Sequence, residues 1–266
     1  MNKRFLNALR INTKDLMGSP SVRLTLIVTF IISLVFSYLP FVCKHIFHTN
    51  KGYMFQGGFF EAMGICAVFM MFVALMITRI GAQVGFEKGS KETELILTAI
   101  SRKELYFSHI FSSFIMFFFS LLVMFSPLIS TVFFDKDIVL KLTGLGIRDI
   151  IFMSVHILLT SVVLICLVIS ITSMIKRSED TGPFVLLVMI PFLLSNMYFV
   201  IKADVFSGAL SFFNFVPVCS LLPAMGASIV KSISGTNMII MLVSDVIWII
   251  GAFVFGKMCF EKNISE

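Results

Sequence analysis

Residues 150–175 read IIFMSVHILLTSVVLICLVISITSMI, a run with no Asp, Glu, Lys or Arg. About 20 largely apolar residues suffice for a helix to cross the hydrocarbon core of a bilayer. Working outward, five more stretches qualify: residues 24–43, 59–78, 105–134, 181–201 and 232–256. The 266-residue chain is 58% hydrophobic and only 14% charged. A soluble domain is about a quarter charged, and a disordered chain needs low hydrophobicity and high charge. Both classes are excluded. The predicted fold is all-α: one polytopic membrane domain over residues 1–266, with six transmembrane helices. The third span is longer than a crossing requires. Pro127 near its far end predicts a kink, or last turns that project from the bilayer.

A further apolar run, residues 205–230, carries no charge but holds Pro217, Pro223, Gly208, Gly226 and Asn214. It reads as a re-entrant segment of two short helices in the outer leaflet; a seventh span is the alternative. Orientation follows from charge. Six spans with the N-terminus inside place fourteen Lys and Arg residues on the cytoplasmic side and seven outside. The rule that basic residues stay inside therefore puts both termini in the cytoplasm. The net charge of +6 reads as topology, and no nucleic-acid partner is expected. The first 23 residues lack the apolar core and small-residue cleavage site of a signal peptide.

Residues 3–17 form an amphipathic helix on paper. Phe5, Leu6, Ala8, Leu9, Leu16 and Met17 fall on one side, and Lys3, Asn7, Arg10, Lys14 and Asp15 on the other. Gly18-Ser19-Pro20 ends it. Such a helix lies at the membrane surface with its basic face toward anionic headgroups. Phe5, Leu9, Arg10 and Lys14 are its candidate contact residues, either with a cytoplasmic partner or with lipid alone.

The segment between spans two and three mixes four acidic and four basic residues around a short apolar centre, Leu95-Ile96-Leu97. Glu87 and Lys91 sit at i,i+4 in the favourable order. Ser101-Arg102-Lys103-Glu104 is a capping box that would restart a helix into span three. An ordered amphipathic insertion is more than a connector needs, and points to docking on a partner; a solvated helical extension of spans two and three is the alternative.

The stretch from Glu87 to Leu105 resembles the first cytoplasmic loop of ABC-2-type ABC transporter permeases. The match is closest at Glu87, Lys88, Thr93, Glu94, Leu95, Leu97, Ser101, Arg102, Glu104 and Leu105. The layout is also similar: an elbow helix, six spans and a broken segment before the last. The resemblance implies that Glu92–Ile100 is a coupling helix held in a groove of a separate ATP-binding subunit. Glu87, Lys88, Glu92, Thr93, Glu94, Leu95, Leu97, Thr98, Ser101 and Arg102 are then the expected contacts. It further implies a bacterial plasma-membrane exporter, pairing with a second copy of itself or with a different permease subunit. ATP and Mg would be bound by the ATPase partner, with no cofactor on this chain. Ala99 stands where the family often has Pro. The short outer loop after span one disfavours exporters with a large ectodomain.

One frame, Gly251-Ala252-Phe253-Val254-Phe255-Gly256-Lys257, fits G-x-x-x-x-G-K, but Met258 replaces the Ser or Thr that would hold Mg²⁺. It also lies in a span rather than after a strand, where its backbone N–H groups are already bonded. It is rejected as a phosphate loop.

Asp245 lies midway along the last span and Glu61 near the outer end of the second; both are candidates for a substrate path. Asp245 reads equally as a hydrogen-bonding group facing another helix. His109 and His156 are lone histidines on apolar helices and read as packed, hydrogen-bonding residues. Other classes remain: an ATP-independent carrier or channel, a membrane enzyme, or an immunity or regulatory subunit that binds without transporting. The Phe- and Met-rich composition leans toward an amphipathic cargo, a peptide or lipid.

Overall fold

The computed structural model describes residues 3–46, 59–89, 96–98, 100–134, 147–175, 188, 190–191, 212, 215–229 and 233–263. All regular structure among these residues is helical. The helices are α1 (Lys3–Gly18), α2 (Pro20–Ile46), α3 (Phe59–Gly89), α4 (Arg102–Phe134), α5 (Ile147–Met174), α6 (Pro217–Ile229) and α7 (Gly235–Asn263). Four helical stretches among the described residues are long and apolar enough to cross a membrane: Phe69–Glu87, Arg102–Pro127, Arg148–Met174 and Gly235–Asn263. The predicted span 181–201 lies almost wholly outside the described residues.

The surface these helices present is that of a membrane protein. Along α7, Ile239, Val243, Val246, Ile247, Ile250, Val254, Phe255 and Met258 are all 48–66% exposed. Their three- and four-residue spacing makes one apolar stripe the length of the helix. A soluble monomer rarely exposes so large a patch. The aromatic runs divide between the two environments. Phe72 and Phe117 are buried with ring centroids 5.4 Å apart, while Met71, Phe118 and Phe119 face outward.

Lipid is as apolar as a leucine face, so helices in it are held by close packing and polar contacts. The core side of α4 and α5 is accordingly rich in small hydroxyl residues. Ser112, Ser120, Ser170, Thr172 and Ser173 are buried, and each satisfies its hydroxyl on a carbonyl three or four residues back. Against them pack Phe69, Phe72, Val73, Met76 and Ile80 of α3, all within 1% of full burial.

Pro127 does not end α4, which continues to Phe134. A proline there removes the bond to the carbonyl of Val123. Ser126 Oγ donates to that carbonyl at 2.8 Å, and Ser33 Oγ of α2 donates to the carbonyl of Met124. The carbonyl that the proline frees is thus met by a hydroxyl of its own helix, and α2 adds a bond one residue further on.

The second span runs well past its predicted end at residue 78, as α3 continues to Gly89. The last span likewise continues from its predicted end at 256 to Asn263. Of the broken segment, 217–229 is a helix of 13 residues. At 1.5 Å per residue it is about 20 Å long, short of the roughly 30 Å core. The first half of the 205–230 segment lies mostly outside the described residues.

Candidate functional site

Two regions of the bundle gather polar side chains. At the end where α3 and α7 finish and α4 begins, called here the basic end, Ser101 caps α4. Its backbone N–H donates to Glu104 Oε2 at 3.0 Å, and the Glu104 N–H returns to Ser101 Oγ at 3.3 Å. The predicted capping box is therefore present. Before it, Ile96 and Leu97 pack against the core, Thr98 is exposed and Ile100 is buried. Glu92, Thr93, Glu94 and Leu95 lie outside the described residues. Lys88 is placed by its backbone alone, on the last turn of α3.

Glu87 belongs to α3 rather than to a separate surface helix. Its carboxylate lies 3.2 Å from His109 Nε2 of α4 and accepts from Gln83 Nε2 at 2.7 Å. Arg102 turns toward α7, its Nη1 donating to the carbonyl of Glu261 at 2.8 Å. Two of the side chains expected to face a partner thus make bonds within the chain.

The N-terminal helix is present and packs on α4. Phe5 meets Phe111 edge-on with centroids 6.3 Å apart, and Asn12 Nδ2 donates to Ser108 Oγ at 3.0 Å. These contacts are seven residues apart on α1 but three on α4, so the helices cross obliquely. The amphipathic reading needs one correction: Asn12, 4% exposed, is the centre of the packed face, and Leu6 is 42% exposed. Leu9 is half-buried, and Arg10 and Lys14 are exposed.

The second region lies about 15 Å in from the opposite end of the bundle, nine or ten residues along α5 and α7. His156 Nδ1 is 2.6 Å from Asp245 Oδ2, and both side chains are 1% exposed. Ser220 Oγ of α6 lies 3.3 Å from His156 Nε2, and also 3.2 Å from the Pro217 carbonyl. Phe152 stacks on the imidazole, with centroids 5.5 Å apart and planes 8° from parallel. One residue from each of α5, α6 and α7 is thus joined in a single buried chain. The entry to α6 is pinned to the same helix, since the Phe215 carbonyl accepts from both Ser244 Oγ and Trp248 Nε1.

The sequence marked Asp245 and found no partner for it. His156 and Ser220 stand 89 and 25 positions away, and no local spacing links them. The available signal was physical: a carboxylate at membrane depth needs a partner, and buried histidines are few. Glu61 sits on the first turn of α3, and its side chain lies outside the described residues.

A third junction lies nearer the basic end. Gly256 of α7 faces Tyr106 of α4 and Ser170 of α5 so closely that a β-carbon there would overlap both hydroxyls. Tyr106 Oη donates to the Phe253 carbonyl at 3.4 Å. Gly251 has nothing within 4 Å of its own β-position. Both glycines of the rejected phosphate-loop frame lie inside one continuous helix.

The long apolar helices, the exposed apolar stripe and the polar groups satisfied within protein define a polytopic α-helical membrane protein. No family model, curated protein or solved structure matches the chain.

Proposed function

We propose that this chain is the membrane permease subunit of an ATP-driven exporter of the ABC-2 type, moving an amphipathic or hydrophobic cargo such as a peptide or lipid. In this reading the basic end faces the cytoplasm and a separate ATP-binding subunit docks on the segment between α3 and α4. ATP and Mg²⁺ belong to that partner, and a second permease, identical or different, completes the pathway. The observation that carries the reading is the build of that segment. It resembles the family's coupling loop over Glu87–Leu105, and among its described residues Ile96, Leu97 and Ile100 pack inward and a capping box starts α4. Residues packed in this way can pass a push from a partner into α4.

The test separates docking from folding. Leu97 packs on the core, so its replacement would disturb the permease itself. Glu94→Lys is the better probe. Co-purification with the ATPase subunit is expected to fall at least tenfold while the thermal stability of the permease stays within about a degree. Undiminished association would sink the docking role.

A second reading, an intramembrane serine hydrolase, is favoured by one observation: Asp245, His156 and Ser220 stand in the order of an acid, a base and a nucleophile. Two facts weigh against it. Ser220 is 1% exposed, and its own N–H and that of Cys219 are taken by the Val216 carbonyl, so they cannot stabilise an oxyanion. A fluorophosphonate probe applied to membranes is expected to leave Ser220 unlabelled. Labelling lost in His156→Ala would establish the hydrolase instead.

A further inference from the structure

Arg79 of α3 is a charge placed inside a span. In the apolar stretch Phe69–Glu87 it lies eight residues, about 12 Å, in from the basic end. A helix tilts its side chains toward its own N-terminus. For α3 that direction leads away from the basic end, so the stem sets out deeper into the bilayer. Charged groups at such depth are almost always paired. Among the described residues, no hydrogen bond or ion pair reaches Arg79, and its Nε is fully buried without a partner. The side chain as a whole is only part-buried, so the terminal Nη groups are what a ligand can reach.

The surroundings narrow what can answer this charge. Within the described spans, the carboxylates away from a helix end are engaged: Glu87 accepts from Gln83 and meets His109, and Asp245 closes on His156. Glu104, Asp149 and Glu261 stand in the first or last three residues of their helices. The same holds for these spans in a second copy, which therefore has no free carboxylate to offer at this depth. Around Arg79 the helix is apolar. Leu75, Ala82 and Phe86 fall within about 60° of it around α3; Leu75 is half-buried and the other two are exposed. A ligand for Arg79 thus needs an anionic group and an apolar body that enters from the lipid.

We propose that Arg79 binds the anionic head of the amphipathic cargo. A phosphate or carboxylate is gripped end-on by the two Nη groups, and the apolar chain lies deeper along Leu75 and Met71. The proposal rests on the exporter reading and narrows its cargo to anionic amphiphiles.

The experiment is a native mass spectrometry titration of the purified full-length chain in non-ionic micelles, without an ATPase. The probes are oleoyl lysophosphatidic acid and oleoyl lysophosphatidylcholine, which share a chain and differ in net charge. The anionic probe is expected to bind about tenfold tighter or more, the worth of a hydrogen bond to a charged group. Arg79→Gln is expected to bring the two probes level. Arg79→Leu, with no probe added, is expected to unfold no earlier than the native chain, because an unpaired charge is removed. Equal binding of both probes by the native chain would overturn the proposal, as would an unchanged preference in Arg79→Gln. Earlier unfolding of Arg79→Leu would show instead that the arginine holds the fold. Equal binding of chain-free glycerol 3-phosphate would make this a soluble-anion site and overturn the proposal too. Co-purification with an ATPase is a separate measurement, so failure of the docking role and failure of this site are told apart.

Discussion

Replacing either His156 or Asp245 alone by leucine is expected to destabilise the protein by roughly 3 kcal/mol, while replacing both recovers most of the loss. Each single change strands a polar group at membrane depth. Breaking a buried ion pair from one side costs about 3–5 kcal/mol in soluble proteins. Hydrogen bonds between membrane helices are worth only about 0.6–2 kcal/mol, because separated helices find other partners in lipid. The pair here is 1% exposed on both sides and closes at 2.6 Å, which places it toward the upper range. The double variant leaves two apolar groups where two polar ones were, and apolar replacement of a buried pair is often neutral. The measurement is a double-mutant cycle on unfolding in mixed micelles. Strictly additive losses would mean that the two side chains do not act on each other. Ser220→Ala is a milder member of the same series, since it removes the 3.3 Å contact to His156 and a bond within α6 but leaves the His156–Asp245 pair.

The second large effect is expected at Gly256. Gly256→Val should lower stability by at least about 1–3 kcal/mol, the usual cost of overpacking. A valine there meets the hydroxyls of Tyr106 and Ser170 on two different helices, so neither neighbour can yield without moving its own contacts. Tyr106→Phe with Ser170→Gly in the same chain removes both obstructions and is expected to restore part of the loss. Gly251→Ala is the control. Nothing lies near its β-position, and alanine is favoured over glycine within a helix by about 1 kcal/mol, so no loss is expected. The readout is thermal unfolding of the purified protein. Equal damage at both positions would contradict the packing assigned to this junction.

The membrane class and most of the apolar helices were legible because hydrocarbon length imposes a minimum run of apolar residues, and such runs are visible residue by residue. Helix ends were not. α3 passes residue 78 as Glu87 accepts from Gln83 and meets His109 of α4, so a polar stretch stays helical where hydropathy alone would end it. Asn12 was grouped with neither face of α1, since its partner Ser108 lies 96 residues on. The His156–Asp245 pair was hidden for the same reason. Contacts that depend on which helices become neighbours leave no local trace. The capping box was legible because all its atoms lie within four consecutive residues.

The bonds that α1 and α2 make to α4 bear on the order in which the protein is made. The Met124 carbonyl finds its donor on Ser33, and Ser108 meets Asn12. Both donors precede α4 in the chain and leave the ribosome before it. If the helices enter the bilayer in chain order, α1 and α2 are in place to bond α4 as it arrives. α4 is therefore received by a prepared neighbour, and the early part of the chain serves as template for the later.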